Sequence, residues 1–222
     1  MRLKAIEMHG EDGYEIVHDF IRSYDAVSPA GDVSNSLEDE IRRLGKSPYL
    51  SGLVARYCDF AYPAWVFIEI ITFGTFIYFY KFCAERFNDR EMRDYFYLLQ
   101  SVRTLRNACA HNSCILNDLV SGSPMYKARY AVTRALGSVP GVSAAMRKSR
   151  MNNDRMQEIA TALYVHHIVA SEGVKTHRGE SLRQFKERMN RHVDYYQGNY
   201  QILSSFDFLG KVINAWYPEL EE

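Results

Sequence analysis

Arg106, Asn107 and His111 stand close together in the run TLRNACAHNSCILND, residues 104–118. Each is a side-chain type that can handle a phosphate ester. The planar fork of an arginine grips phosphate oxygens two at a time and keeps its charge. A histidine, with an ordinary pKa near ~6.5, takes or gives a proton at neutral pH. An asparagine can position either group or hydrogen-bond a ribose. RNA brings its own nucleophile, the 2′-hydroxyl, so cleavage needs a base, an acid and positive charge near the phosphorus. It needs no metal and no cofactor.

The residues must be presented by a helix. Leu98, Val102, Leu105 and Cys109 are spaced four, three and four apart, which predicts a core-facing stripe. Arg103, Asn107 and His111 share the polar face opposite. Arg106 lies between the two, and on an ideal helix it points about 140° from His111. Both can hold one phosphate only if the helix loosens near His111 or a second subunit contributes. The trio His111–Asn112–Ser113 forms helix poorly, so the spacing predicts loosening there.

The rest of the chain reads as helical. Period-two alternation is scarce, while apolar spacing of three and four recurs. Tyr14, Ile16, Val17, Phe20 and Ile21 fit one stripe, and Ser36 opens a Ser-x-x-Asp capping pattern before a short helix ending at Gly45. A further helix is expected over 48–60, and Pro63 should open a long apolar one. The run 61–82 has the length of a bilayer span. Glu69 inside it, with Thr72, Gly74 and Thr75, argues instead for a helix buried by protein, without membrane insertion. Asn88 or Asp89 should cap the helix that carries the motif. Loops are expected at 121–124 and 137–141, and helices at 152–171, 180–196 and 204–216. The expectation is an all-α chain in one domain. Its parts are N-terminal helices (1–60), core helices with the motif (61–120) and basic C-terminal helices (121–222).

Composition supports a folded domain: 222 residues, of which 47% are hydrophobic, suffice for a substantial core. Net charge is zero but uneven. Residues 1–100 hold 16 Asp/Glu against 11 Lys/Arg, and residues 101–222 hold the reverse. A basic second half suits an anionic partner such as RNA, although a solvated face has the same composition. Lys127, Arg129 and Arg134, just after the motif, and Arg103 within it are the candidate phosphate contacts. Arginines farther on, with Tyr195, Tyr196 and Tyr200, suit RNA tracking, although for any single one of them a solvated helix face is the commoner role. Four cysteines read as reduced thiols and the first residues lack the apolar run of a signal peptide, so a cytoplasmic location is expected. Cys109, His111 and Cys114 diverge on a helix and lack a fourth ligand, so no metal site is expected. Of His166 and His167, one must face the core. Phosphate-binding glycine loops and the serine-hydrolase elbow are absent from the sequence.

RNACAH (106–111), an Arg-x4-His motif with Asn after the Arg, resembles that of the HEPN superfamily of helical ribonucleases. PAWVFIEIITFGTFIYFYKF (63–82), followed by LRNACAHNSCILN (105–117), is similar to one branch, the bacterial Abi-like (AbiD/AbiF) abortive-infection family. The resemblance implies a HEPN-type helical bundle with additional N- and C-terminal helices. It implies a homodimer whose paired motifs line a shared cleft, and metal-independent RNA cleavage that leaves a 2′,3′-cyclic phosphate. The setting would be phage defence or a toxin–antitoxin pair, with an antitoxin or non-coding RNA as a further partner. Arg106 would then polarise the phosphate, Asn107 support it and His111 act as general acid or base. Glu69 would either orient these two or pair structurally elsewhere, and Asn112 and Asn117 would lend support. The family commonly continues CAHHxRLWN. Here Asn112 replaces the second His, Cys114 replaces the Arg, and Ile115–Leu116 precede Asn117. A catalytically silent RNA-binding module and a protein-interaction component are the alternatives to an enzyme.

Overall fold

A computed structural model describes residues 3–27, 37–57, 60–120, 122 and 124–218. Among the described residues every regular element is helical, in twelve α-helices and one 3₁₀ turn. Ser36, Cys58, Ser121 and Ser123 lie outside the described residues, and with them the expected capping box and part of the expected loop. The chain forms two compact units, Met1–Phe96 and Tyr97–Glu222. That division falls inside a helix.

The first unit holds α1 (Leu3–Met8), α2 (Glu15–Val27), α3 (Leu37–Leu44), α4 (Ser51–Ala55), α5 (Ala64–Ile70), α6 (Phe73–Arg86) and the start of α7 (Arg90–Ala110). The α2 stripe is buried as its spacing requires: Ile16, Val17, Phe20 and Ile21 face inward, while Tyr14 stays half in solvent. Phe20 meets Phe79 at 5.0 Å, Phe82 at 5.5 Å and Phe67 at 5.8 Å between ring centres. Phe67 and Phe79 close the cluster edge-to-face at 5.1 Å, an arrangement that adds to the gain from burial alone. At its rim Arg86 grips Glu11 with two hydrogen bonds (2.6 and 2.8 Å) and Asp19 with a third (2.7 Å).

The apolar run 61–82 forms two helices where one was expected. Ile71 and Thr72 are extended, with ψ of 158° at both. The Thr72 hydroxyl accepts from the Thr75 amide at 3.2 Å. From α3, the Glu40 carboxylate accepts from the Thr72 amide (3.4 Å) and the buried Thr75 hydroxyl (2.9 Å). A side-chain cap and a carboxylate from afar thus satisfy the donors that the break exposes. No described helix is long and apolar enough to cross a membrane. Glu69 lies on the exposed side of α5. The expected buried carboxylate in search of a partner is therefore not what the fold contains. The helix expected over 48–60 contracts to the short α4.

The second unit continues α7 and adds α8 (Tyr130–Gly137), α9 (Ala144–Arg150), α10 (Asp154–Val169), α11 (Glu172–Arg191), a 3₁₀ turn (Val193–Tyr195) and α12 (Tyr200–Trp216). α10 packs on α8 and α12, and α12 also packs on α9 and α11. Met156, Ala160, Val165, Phe208, Val212 and Ile213 fill the centre. Ser143, Asn153 and Asn199 cap their helices through the amide three residues on, the usual role of these short polar side chains. α11 begins eight residues before the expected start and ends five before the expected stop. Its sequence is polar nearly throughout, so its apolar periodicity is faint.

Both histidines of 166–167 are tied inward. The Tyr217 hydroxyl donates to the Leu163 carbonyl at 2.9 Å, which leaves its oxygen to accept from His166 Nδ1 at 3.0 Å. His167 Nδ1 donates to the Trp216 carbonyl at 2.9 Å. Burial, more than neighbouring Arg178, His167 and Lys175, holds the His166 pKa below its ordinary value.

Candidate functional site

The motif lies at the C-terminal end of α7, where the helix stops in a defined way. The His111 amide still bonds the Asn107 carbonyl at 3.0 Å. The Asn112 amide then reaches back to the Cys109 carbonyl (3.1 Å) and the Ser113 amide to the Ala108 carbonyl (2.8 Å). This is the paired bonding of a Schellman motif with His111 as the C-cap. It requires a left-handed residue at the next position, and Asn112 supplies it with φ of 52°. Asparagine tolerates that conformation better than any other non-glycine residue. Asn112, expected to support the site chemically, acts first as the backbone stop. The expected loosening after His111 is therefore a fixed turn.

Arg106, His111, Asn112 and Cys114 are exposed, and Arg103 and Asn107 are half-buried. Arg106 Nη1 donates to Asn107 Oδ1 at 3.1 Å. That bond addresses the angular separation seen in the sequence. Asn107 lies about 40° from His111 around an ideal helix, so a guanidinium drawn to Asn107 moves toward the histidine side. Among the described residues no carboxylate pairs with Arg103 or Arg106. Both cations are open to an anion from outside. Asn117 is exposed, and its amide bonds the Cys114 carbonyl at 3.3 Å.

The apolar stripe behind the motif is covered at only one end. Leu98 is buried, Val102 and Leu105 are half-buried, and Cys109 is exposed. Cys109 was expected in the core, and it is not there. The stripe continues past the point where the described residues pack against it. No three His, Cys, Asp or Glu side chains among the described residues are grouped as metal ligands.

After the motif no described residue before Tyr130 lies in a regular element, and the start of α10 holds this segment. Asn153 Nδ2, on a buried side chain, donates to the carbonyls of Asp118 (2.7 Å) and Val120 (3.0 Å). The Asp154 carboxylate accepts from the Met125 amide at 3.1 Å, and Gln157 Nε2 donates to the Tyr126 carbonyl at 3.1 Å. Lys127, Arg129 and Arg134 are exposed, as phosphate contacts must be. The Arg129 guanidinium lies 4.2 Å from the centre of the Tyr97 ring on α7, a cation–π distance. Sequence reasoning missed the Asn153–Gln157 clamp, because its partners are backbone carbonyls some thirty residues earlier. Tyr97 and Tyr126 were missed too, since an exposed aromatic has no sequence signature.

A model of the Abi-like protein family matches residues 2–117, just over half of the chain. The chain belongs to the Abi-like family. No curated protein and no solved structure matches it. The match to the Abi-like family takes in the paired helices α5 and α6 and the whole motif through Asn117. It stops at Asn117, just before the clamped loop. The family name refers to abortive infection, which points to phage defence as the broad setting.

Proposed function

We propose that the protein is a metal-independent HEPN-type endoribonuclease acting in bacterial abortive infection. The observation that carries this reading is the Arg106–Asn107 hydrogen bond beside an exposed, C-capping His111. Arg106, unpaired by any described carboxylate and steered by Asn107, grips the scissile phosphate and stabilises charge as it builds on the phosphoryl oxygens. His111 takes the proton from the neighbouring 2′-hydroxyl, whose oxygen attacks phosphorus. The bond to the 5′-oxygen breaks, and that oxygen leaves with a proton from an acid. The products are a 2′,3′-cyclic phosphate and a free 5′-hydroxyl, with no change in redox state and no added water.

One chain supplies one motif histidine, so a second proton-transfer group must come from elsewhere. A homodimer with its two-fold axis near the motif brings a second His111 to serve as acid. The half-covered stripe Val102–Leu105–Cys109 supports an association of this kind, since exposed apolar helix surface next to a site favours burial by a partner. Arg103, Lys127, Arg129 and Arg134 hold the RNA backbone.

The test is incubation of the purified protein with mixed cellular RNA in EDTA, beside an Arg106→Ala/His111→Ala variant. Cleavage by the wild type alone, with cyclic-phosphate ends, is expected. Retained RNA binding with no cleavage would make the protein a silent binding module. Loss of activity on dilution to monomer is the corresponding test of the shared site.

A further inference from the structure

The stretch from Leu119 to Asn153 contains no Asp or Glu, yet holds Lys127, Arg129, Arg134, Arg147, Lys148 and Arg150. Among the described residues none of these six is paired with a carboxylate. Along this stretch the chain supplies cations and no carboxylate, a balance that suits a polyanion; Asp154, just beyond it, places its carboxylate on the Met125 amide.

The same stretch exposes aromatics that a folded domain has no internal reason to expose. Tyr126 is 69% and Tyr130 77% accessible, with Met125 beside them at 77%. Their backbone is nonetheless fixed. Asn153 and Gln157, two of the few buried polar side chains, spend their amides on the carbonyls of Asp118, Val120 and Tyr126. Asp154 holds Met125 from the same helix start. A loop held this firmly presents its rings in a set geometry, and that lowers the cost of binding. Between the two exposed tyrosines sits Arg129, stacked on Tyr97. Cations interleaved with aromatic faces are the composition that binds unpaired bases and the backbone joining them. A duplex keeps its bases stacked on one another and offers the rings nothing.

We propose that Tyr126 and Tyr130, on either side of Arg129 in the sequence, form with the Arg129–Tyr97 stack a platform that selects single-stranded RNA by stacking on its unpaired bases. The proposal rests on the reading that the protein acts on RNA, and it names the substrate class. Its residues Tyr126, Arg129 and Tyr130 follow the matched region, which ends at residue 117, and it is a specificity element separate from the Arg106–His111 chemistry.

The test uses the full-length protein and a short 2′-O-methyl RNA, which cannot be cleaved through its 2′-oxygen. It is offered single-stranded or as a blunt duplex of the same sequence. In about 0.1 M salt the single strand should bind about tenfold tighter than the duplex, and Tyr126→Ala/Tyr130→Ala should erase that preference. The Tyr126→Phe/Tyr130→Phe variant, which keeps the rings, should keep it. Both rings are exposed, so circular dichroism of the variants should match the wild type. Equal affinity for strand and duplex would overturn the platform, as would an Ala variant that binds like the wild type. Stacking-dependent binding without cleavage of unmodified RNA would uphold the platform while the nuclease reading fails. Cleavage that ignores the two tyrosines would do the reverse. No binding of either probe would overturn the platform and leave this surface to a protein partner.

Discussion

α6 and α7 end with the same backbone device and put it to different use. At Asn88 (φ 51°) the Asn88 amide bonds the Glu85 carbonyl and the Asp89 amide bonds the Ala84 carbonyl, as at Asn112. There the likeness stops. The Asn88 side-chain oxygen accepts from Arg93 Nη2 at 2.6 Å, and Asp89 at once caps the next helix through the Met92 amide at 3.0 Å. The first turn is a joint between two consecutive helices. At Asn112 no described residue bonds the side-chain amide, the next helix starts only at Tyr130, and the residues before the stop are exposed. The second turn holds Arg106, Asn107 and His111 at a free end. A stop that leads straight into another helix serves stability. A stop that leads into solvent displays whatever precedes it.

The largest way to break this contrast is His111→Ala. Cleavage should fall by roughly 10²–10⁴, the worth of a positioned general acid or base. The melting temperature should hardly move, because exposed side chains contribute within about 0.5 kcal/mol. Unchanged cleavage would remove His111 from the chemistry. Next in size is Asn88→Ala, expected to cost about 2 kcal/mol in urea unfolding, from a strained left-handed alanine and the lost Arg93 bond. Asn112→Ala, with the strain alone, should cost about 1 kcal/mol. A larger loss at Asn112 than at Asn88 would reverse the reading of the two turns. Asn107→Ala should slow cleavage about tenfold without unfolding the protein, the size of one hydrogen bond that positions a charged group.

The smallest effect concerns pH. His166 has a folded-state pKa held below its ordinary value, chiefly by burial and then by neighbouring Arg178, His167 and Lys175. The unfolded chain then binds more protons than the folded one near pH 6. The stability this group contributes is complete above its unfolded value of ~6.5 and is lost as pH falls through that value toward the folded one. Glu158, its carboxyl raised by burial, acts in the opposite sense above its ordinary range. The informative measurement is the difference in melting temperature between wild type and His166→Gln across this range, which should shrink as the solution is acidified. A difference independent of pH would refute the titration.

Much of the fold was legible from local pattern. The α2 stripe, the motif helix and its restart after Asn88–Asp89 follow from apolar spacing and capping residues. The break at Ile71–Thr72 did not, because half of what sustains it is the Glu40 carboxylate, more than thirty residues away. Leu98 and Cys109 occupy equivalent places in one stripe, yet one is buried and the other exposed. Periodicity states which face is apolar but not how far neighbouring chain extends to cover it.

By itself the sequence determined that the chain is helical, that Arg106, Asn107 and His111 ride on one helix, and that the second half is basic. These properties depend on residue type and spacing along the backbone. Only the tertiary structure decided that Asn107 holds Arg106, that Asn112 ends the helix in a fixed turn, and that Asn153 and Gln157 pin the loop bearing Tyr126. Each of those depends on where a particular donor meets a particular acceptor. A hydrogen bond tolerates an error of only a few tenths of an ångström, and no one-dimensional pattern carries that information.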